Sequence, residues 1–316
     1  MPTLNELLRA SSRTFAVGID LLPRPLRSEV ETSYLLLRVS DYLEDNVSME
    51  PSRKSELLEQ WARVLEGAEP VEALERAMGP VEEPTPDALV ARHVAQVTMA
   101  LDGFRPAALA VVVRHVRDST MGMARWIRRG PDLADENDLD DYMHEVAGRV
   151  GWLLTELFAL DIEQVSRRRT EMLTLGREFG LALQTVNVIR GLHSDWRRGW
   201  IYVPRSFGGD KRVIAPDRED HVLAQLVEKS ERHLDAARRY LLALPRRHHG
   251  VRVFCVLPYL FAVRTLAVSR GNRAVFHEEV KIDRGEVRRI VRDARLFGWS
   301  NLWIEQYSAK LTEPDR

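Results

Sequence analysis

Tyr34-Leu35-Leu36-Leu37-Arg38-Val39-Ser40-Asp41-Tyr42-Leu43-Glu44-Asp45 sets one cation and three carboxylates inside an apolar stretch. From about Leu26 to Asn46 the chain has no Pro or Gly, and Pro23 and Pro25 stand just upstream, so the segment reads as one long helix. On that helix Asp41 and Asp45 lie one turn apart on one face, with Glu44 beside them. Arg38 and Tyr34 lie one and two turns below. Like charges at this spacing destabilise a helix by about 0.2–0.5 kcal/mol, and a divalent cation reverses that sign. Mg²⁺ prefers carboxylate oxygen and binds through one or two carboxylates together with substrate phosphates. An acidic pair of this kind is usually a solvated helix end, with Arg38 and Asp41 as an i,i+3 pair. Leu35, Leu36, Leu37, Val39 and Leu43 argue for burial instead, and buried charges need partners or a metal.

The rest of the chain reads the same way. It has 316 residues, 45% hydrophobic, enough to bury a sizeable core. The 18 Gly and 15 Pro cluster between long periodic segments, and strand-like runs are nearly absent. This predicts an all-α fold over residues 1–316 as a single large helical domain. Further helices are expected from Ser11 or Ser12 to Leu22 and over about 52–66, 86–101, 105–129 and 138–160, then over 164–194, 217–244, 250–270 and 285–310. Gly79 to Pro86 reads as a surface loop, and Asp132 to Asp138 as a solvated run before a helix N-terminus. Lys plus Arg is 46 and Asp plus Glu 47, so nothing suggests nucleic acid as a partner. The single Cys255 excludes an internal disulfide and fits a reducing cytoplasm, where it reads as a small core residue. Met1 to Ala10 lacks the apolar stretch of a signal peptide, and Val253 to Ala262 is too short to span a membrane. At most peripheral membrane contact is expected.

Two more clusters carry polar chemistry. Gln184, Asn187, Gly191 and Asp195 step by three and four and share a helix face, followed by a helix end and loop from Asp195 to Pro204. Tyr142-Met143-His144-Glu145-Val146-Ala147-Gly148-Arg149-Val150-Gly151 places two glycines in a helix, each costing about 1 kcal/mol relative to Ala. Close approach of a neighbouring helix or a bulky ligand is the expected return. His144 reads as a structural histidine, not a metal ligand.

Together these segments resemble the squalene/phytoene synthase family, and the squalene synthase branch most. Ser12-Arg13-Thr14-Phe15 with Leu21-Leu22-Pro23 looks like the family's diphosphate-binding start. Tyr34, Arg38, Asp41, Glu44 and Asp45 look like its first aspartate-rich motif. Tyr142 to Gly151 is similar to its tyrosine and Val-Ala-Gly motif, and Gln184 to Pro204 falls where its second aspartate-rich motif should lie. Phe254-Cys255 with Pro258, and Val280-Lys281-Ile282 with Gly285, resemble the late part of the squalene synthase branch.

The resemblance implies an isoprenoid synthase fold around a central cavity, in which diphosphate leaves an allylic substrate with Mg²⁺ assistance and the carbocation alkylates a second molecule. It implies Asp41, Glu44, Asp45, Asn187 and Asp195 as metal ligands, and Tyr142, Asp41, Asp45 and Arg38 as catalytic. Ser12, Arg13, Thr14, Phe15, Tyr34, Val146, Gln184, Arg190 and Phe254 are the implied substrate-binding residues. The chain has no Gly-rich dinucleotide fingerprint. The squalene synthase branch does not rely on one, so NADPH is a cofactor that nothing in the residues supports. The sequence departs from the family where Gly191 replaces an Asp, Ser194 an acidic residue and Trp200 an Arg. Three readings follow: head-to-head joining of two prenyl diphosphates, transfer from one prenyl diphosphate to another acceptor such as an aromatic, and a non-catalytic binding role. The carboxylates, Arg38, Tyr34 and Tyr142 argue against the last.

Overall fold

The chain turns helical earlier than its sequence pattern predicts. Thr3 and Glu6 form a reciprocal capping box, with Glu6 N–H donating to Thr3 Oγ1 at 3.2 Å and Thr3 N–H to Glu6 Oε2 at 2.7 Å. It starts α1 (Leu4–Ser11), whose Leu7 and Leu8 are buried. Ser12 then caps α2 (Arg13–Ile19) by accepting from Phe15 N–H at 3.2 Å. α3 (Leu26–Asp45) is the long helix expected from the acidic motif, and it buries Leu35, Leu36, Val39 and Leu43. The computed structural model describes residues 1–195, 199–210 and 214–313, and the side chain of Arg13 lies outside the described residues.

α4 (Pro51–Leu65) follows, then α5 (Val71–Met78), which the sequence pattern does not announce. The expected helix over 86–101 is instead α6 (Pro86–Ala91) and α7 (Val94–Met99), broken at the non-helical His93. α8 (Pro106–Arg129) is continuous. Asp135 caps α9 (Glu136–Met143) by accepting from the N–H groups of Asn137 and Asp138. The acidic run is less solvated than expected, because Glu136 pairs with the fully buried Lys229 and Asp138 with Arg129, while Asp140 just beyond the run also pairs with Lys229. A π-helical turn (His144–Gly148) joins α9 to α10 (Arg149–Asp161).

α11 (Glu163–Arg167) leads into α12 (Arg169–Asp195), α13 (Glu219–Ala243) and α14 (His249–Ser269). The chain then forms α15 (Arg284–Phe297) and α16 (Asn301–Leu311), split at Gly298 and Ser300 where one helix was expected. The described residues contain no strand. α12 lies against α10 and α13, α14 packs on α2, α12 and α13, and α8 bridges α3, α4 and α10. Among the described residues only α14 is long and apolar enough to cross a membrane, and most of it is buried inside this fold.

The glycines of the third cluster set the distance between α10 and α12. A β-carbon at Gly151 would collide with the carbonyl oxygen of Gly176, and one at Gly180 with that of Ala147. Two helices thus meet backbone to backbone beside the central cavity, which Gly151, Gly176 and Gly180 also line. Gly151→Val must push these helices apart, and overpacking of this kind costs about 1–3 kcal/mol. Urea unfolding should show a loss near the upper end of that range, with an unchanged slope against denaturant.

Candidate active site

Arg38, Asp41 and Glu44 of the α3 stripe are partly buried, as its apolar flanks predict, whereas Asp45 at the helix end is exposed. Arg38 ion-pairs with Asp41 and, at 3.2 Å, with Asp87 of α6. Its guanidinium also lies 5.5 Å from the centre of the Tyr34 ring, on which Phe15 packs at 5.7 Å. Burial pushes the Asp41 carboxyl up to about 6, with Asp87 and Asp45 adding to the rise and Arg38 opposing it. Burial disfavours charge on Arg38 too, but Asp41, Tyr34 and Asp87 outweigh it and hold the guanidinium above its ordinary value. Burial likewise raises the Tyr34 phenol. Asp87 carries no sequence signal for this role, since only the packing of α6 on α3 brings it to Arg38.

α12 supplies the opposite wall. A polar cavity of about 470 Å³ is lined by Arg38, Asp41, Glu44 and Asp45 from α3, and by Gln184, Asn187, Arg190, Gly191 and Asp195 from α12. All five expected metal ligands therefore share one space. Among the described residues no three acidic, His or Cys side chains converge as a preassembled metal centre. Arg190 pairs at 3.3 Å with Glu279, another partner that the sequence does not signal. Asn187 Nδ2 donates to Gln184 Oε1 at 3.3 Å. Gly191 is covered by its neighbour one turn on, since a β-carbon there would stand 2.5 Å from Asp195 Oδ2. Trp196, Arg197 and Arg198, next in the chain, lie outside the described residues.

Tyr142 stands between the walls. Its hydroxyl donates to Tyr202 Oη at 3.1 Å, and Glu44 Oε1 lies 3.5 Å away. Its ring stacks on Tyr202 at 4.7 Å and meets Trp200 at 6.0 Å. Trp200 also stacks on Tyr202, at 5.7 Å. Burial drives the Tyr142 phenol well above its ordinary range, with Glu44 and Tyr202 adding to it, so Oη keeps its proton at neutral pH. The sequence marks Trp200 as a departure but gives no sign of Tyr202, whose loop position offers no periodicity to follow.

Below the polar cavity lies an apolar one of about 220 Å³, which shares Arg38, Asp41, Val146, Gln184 and Asn187 with it. Phe15, Tyr34 and Phe254, three of the implied substrate-binding residues, line its wall along with Phe158, Phe179, Leu183 and Tyr240. A third cavity, about 420 Å³, brings Ser12 and Thr14 together with Phe15, Asn187, Arg190 and Lys281. Ser12 and Thr14 thus stand beside the polar cavity without lining it. Cys255 is buried, as expected of a small core residue, and burial pushes its thiol up.

A profile of the squalene/phytoene synthase family matches residues 8–286. The chain belongs to that family. Its members are prenyltransferases that couple prenyl diphosphates with release of diphosphate. It is 28% identical to squalene synthase of Bos taurus over 98% of this chain and 73% of that one. A structure of TcSQS with the ligand E5700 superposes with a TM-score of 0.82 at 25% identity, covering 98% of this chain and 90% of the other. A dehydrosqualene synthase in complex with ligand superposes with a TM-score of 0.66, over 97% and 95% of the two chains, and at 16% identity it supports the fold alone. The helices accordingly form the isoprenoid synthase fold.

His144 in the π-helical turn packs edge-on against Trp152 at 4.5 Å, in keeping with a structural role. Burial, reinforced by the Arg177 guanidinium, pushes its imidazole down to about 4 from the usual 6.5. The fold therefore favours neutral His144. That contribution is whole above pH 6.5 and is lost as pH falls through 4. Unfolding free energies measured across that interval should fall less steeply for His144→Gln than for the unaltered chain.

Proposed function

We propose that the chain ionises an allylic prenyl diphosphate, farnesyl or geranylgeranyl, in a Mg²⁺-dependent reaction and couples it head-to-head to a second one. The observation that carries this reading is the junction of the two cavities. A charged mouth opens directly into an apolar shaft, and both share Arg38 and Asp41. A prenyl diphosphate has that polarity, an anionic head on a hydrocarbon tail.

The donor set fits Mg²⁺, since Asp41, Glu44, Asp45, Asn187 and Asp195 offer only hard oxygen ligands, and this ion bridges few carboxylates to substrate phosphates. Bound there, Mg²⁺ would offset the negative charge of the departing diphosphate. Arg38 and Arg190 add cationic donors at the mouth. The C1–O bond breaks with its electron pair leaving on the diphosphate. The allylic cation is then attacked by the double bond of a second prenyl chain, which loses a proton. Phe158, Phe179, Leu183 and Phe254 keep water from that cation. Tyr142 Oη, held protonated, remains a hydrogen-bond donor beside the reacting end. Ser12, Thr14 and Phe15 would contact substrate from the adjoining cavity.

A second reading rests on the aromatic stack. Tyr142, Tyr202 and Trp200 offer π surface where the first reading wants cations for a second diphosphate. An aromatic acceptor of the prenyl group would stack there.

Incubation with farnesyl or geranylgeranyl diphosphate and Mg²⁺, with and without NADPH, separates these readings by product. A C30 or C40 hydrocarbon, or its cyclopropyl diphosphate, is the expected outcome. A prenylated aromatic formed only when an acceptor is added would support the second reading. Asp41→Ala removes a charge worth about 4 kcal/mol at contact, so diphosphate release should fall by about 10²-fold or more. Release at the unaltered rate would sink the mechanism.

A further inference from the structure

The junction of α15 and α16 exposes large apolar side chains that the catalytic reading leaves unused. Leu296 is 58% exposed, Phe297 46%, Trp299 50% and Leu302 63%. They lie within seven positions around Gly298, where the chain turns from α15 into α16. Trp299 is pinned outward, its Nε1 donating to Leu296 O at 3.2 Å. Behind it Trp303 packs against Phe297 at 6.0 Å and stacks on Tyr307 at 4.6 Å, so the elbow has a firm aromatic base.

The charge around this elbow is one-sided. Residues 284–311 contain six Arg or Lys (284, 288, 289, 292, 295, 310) and three Asp or Glu (286, 293, 305), net +3 in a chain whose total is −1. Two of those acids already have partners away from the patch, Glu286 on buried Arg264 and Glu305 on Arg238. Among the described residues Arg288, Arg289 and Arg295 form no ion pair, and all three are exposed. Exposed aromatic and aliphatic side chains flanked by arginine match an interface with acyl chains on one side and anionic headgroups on the other.

A row of cavities joins this surface to the site. A groove of about 550 Å³ between α2, α14 and α15 is walled by Val17, Phe261, Val287, Val291 and Leu296, with Arg288, Arg292 and Arg295 along it. It shares Thr14, Phe261 and Val287 with the third cavity, which in turn shares Phe15, Leu183, Asn187 and Pro258 with the apolar one.

We infer that the α15–α16 elbow docks this protein on an anionic lipid bilayer, with the α2–α14–α15 groove turned to the acyl chains. The choice of a bilayer rests on the proposed function only insofar as a prenyl tail is a lipid. Docking itself needs no turnover, so the two readings fail separately.

The test is sedimentation of the full chain with vesicles of phosphatidylcholine alone or mixed with phosphatidylglycerol. Binding is expected to the mixed vesicles, to weaken with added salt, and to be much poorer on phosphatidylcholine alone. The double substitution Trp299→Ser with Leu302→Ser should weaken binding about tenfold or more, and Arg288→Gln with Arg295→Gln about fivefold per charge on anionic vesicles only. Both variants should keep the helical circular dichroism and release diphosphate at the unaltered rate from detergent-dispersed substrate. Asp41→Ala should bind vesicles normally. Vesicle binding that is absent, or that these surface substitutions leave unchanged, overturns the inference. A dimer in light scattering that Trp299→Ser dissolves, without vesicle binding, overturns it in favour of a second copy of the chain on this patch.

Discussion

Charge held inside an apolar helix governs this molecule. α3 buries Leu35, Leu36, Val39 and Leu43, yet on its remaining stripe it carries Arg38, Asp41, Glu44 and Asp45. A helix loaded this way cannot close against a dry neighbour, because an unpaired buried charge costs several kcal/mol. It needs counter-charges and a polar space beside it, and the fold supplies both. Asp87 comes from α6 to share Arg38, and α12 stands back far enough to leave the polar cavity. Burial, with Asp87 and Asp45 close by, still lifts the Asp41 carboxyl to about 6 despite Arg38. On the proposed function, a site that holds carboxylates at a cost to the fold would gain most when a cation and a diphosphate arrive.

Holding that space open while the rest of the interior packs falls to the glycines. α12 touches α10 through Gly176 and Gly151, and the π-helical turn before α10 through Gly180 and Ala147. Backbone contact draws the two helices together, and the absence of side chains at the same positions leaves room for the apolar cavity. The penalty of about 1 kcal/mol for each helical glycine is thus offset by a tight crossing that larger residues could not make.

Most helices were legible from the 3.6-residue period, because burial of one face dictates it. What the period could not show were breaks and short helices. α1 depends on the Thr3–Glu6 box and α5 spans only Val71–Met78, too short for a clear stripe, while the π-helical turn at His144–Gly148 leaves the apolar pattern unbroken. The cavity followed the same division. Residues in phase on one helix, such as Arg38 with Asp41 or Asn187 with Asp195, could be grouped from their spacing alone. Asp87, Tyr202 and Glu279 could not, since each reaches the site by long-range packing that no local spacing encodes.

Gly191 shows where a sequence departure and its physical consequence differ. Read along the chain, it is a carboxylate lost from the α12 wall, leaving Asp195 with Asn187. In three dimensions the space beside it is filled, because the Asp195 carboxylate lies against Gly191 where a side chain would begin. An aspartate at 191 could not simply be added, since Asp195 would have to swing away first. The two walls are therefore unequal by construction. α3 presents three carboxylates beside Arg38, whereas the α12 side presents one carboxylate near its own helix backbone, an Arg190 already paired to Glu279, and the Tyr142–Tyr202–Trp200 stack. On the proposed function, the attraction for a metal-bound diphosphate would be concentrated on α3, and the facing surface is better suited to π contacts. On the proposed function, such an asymmetric mouth would hold one diphosphate firmly and meet the second prenyl chain mainly through its hydrocarbon.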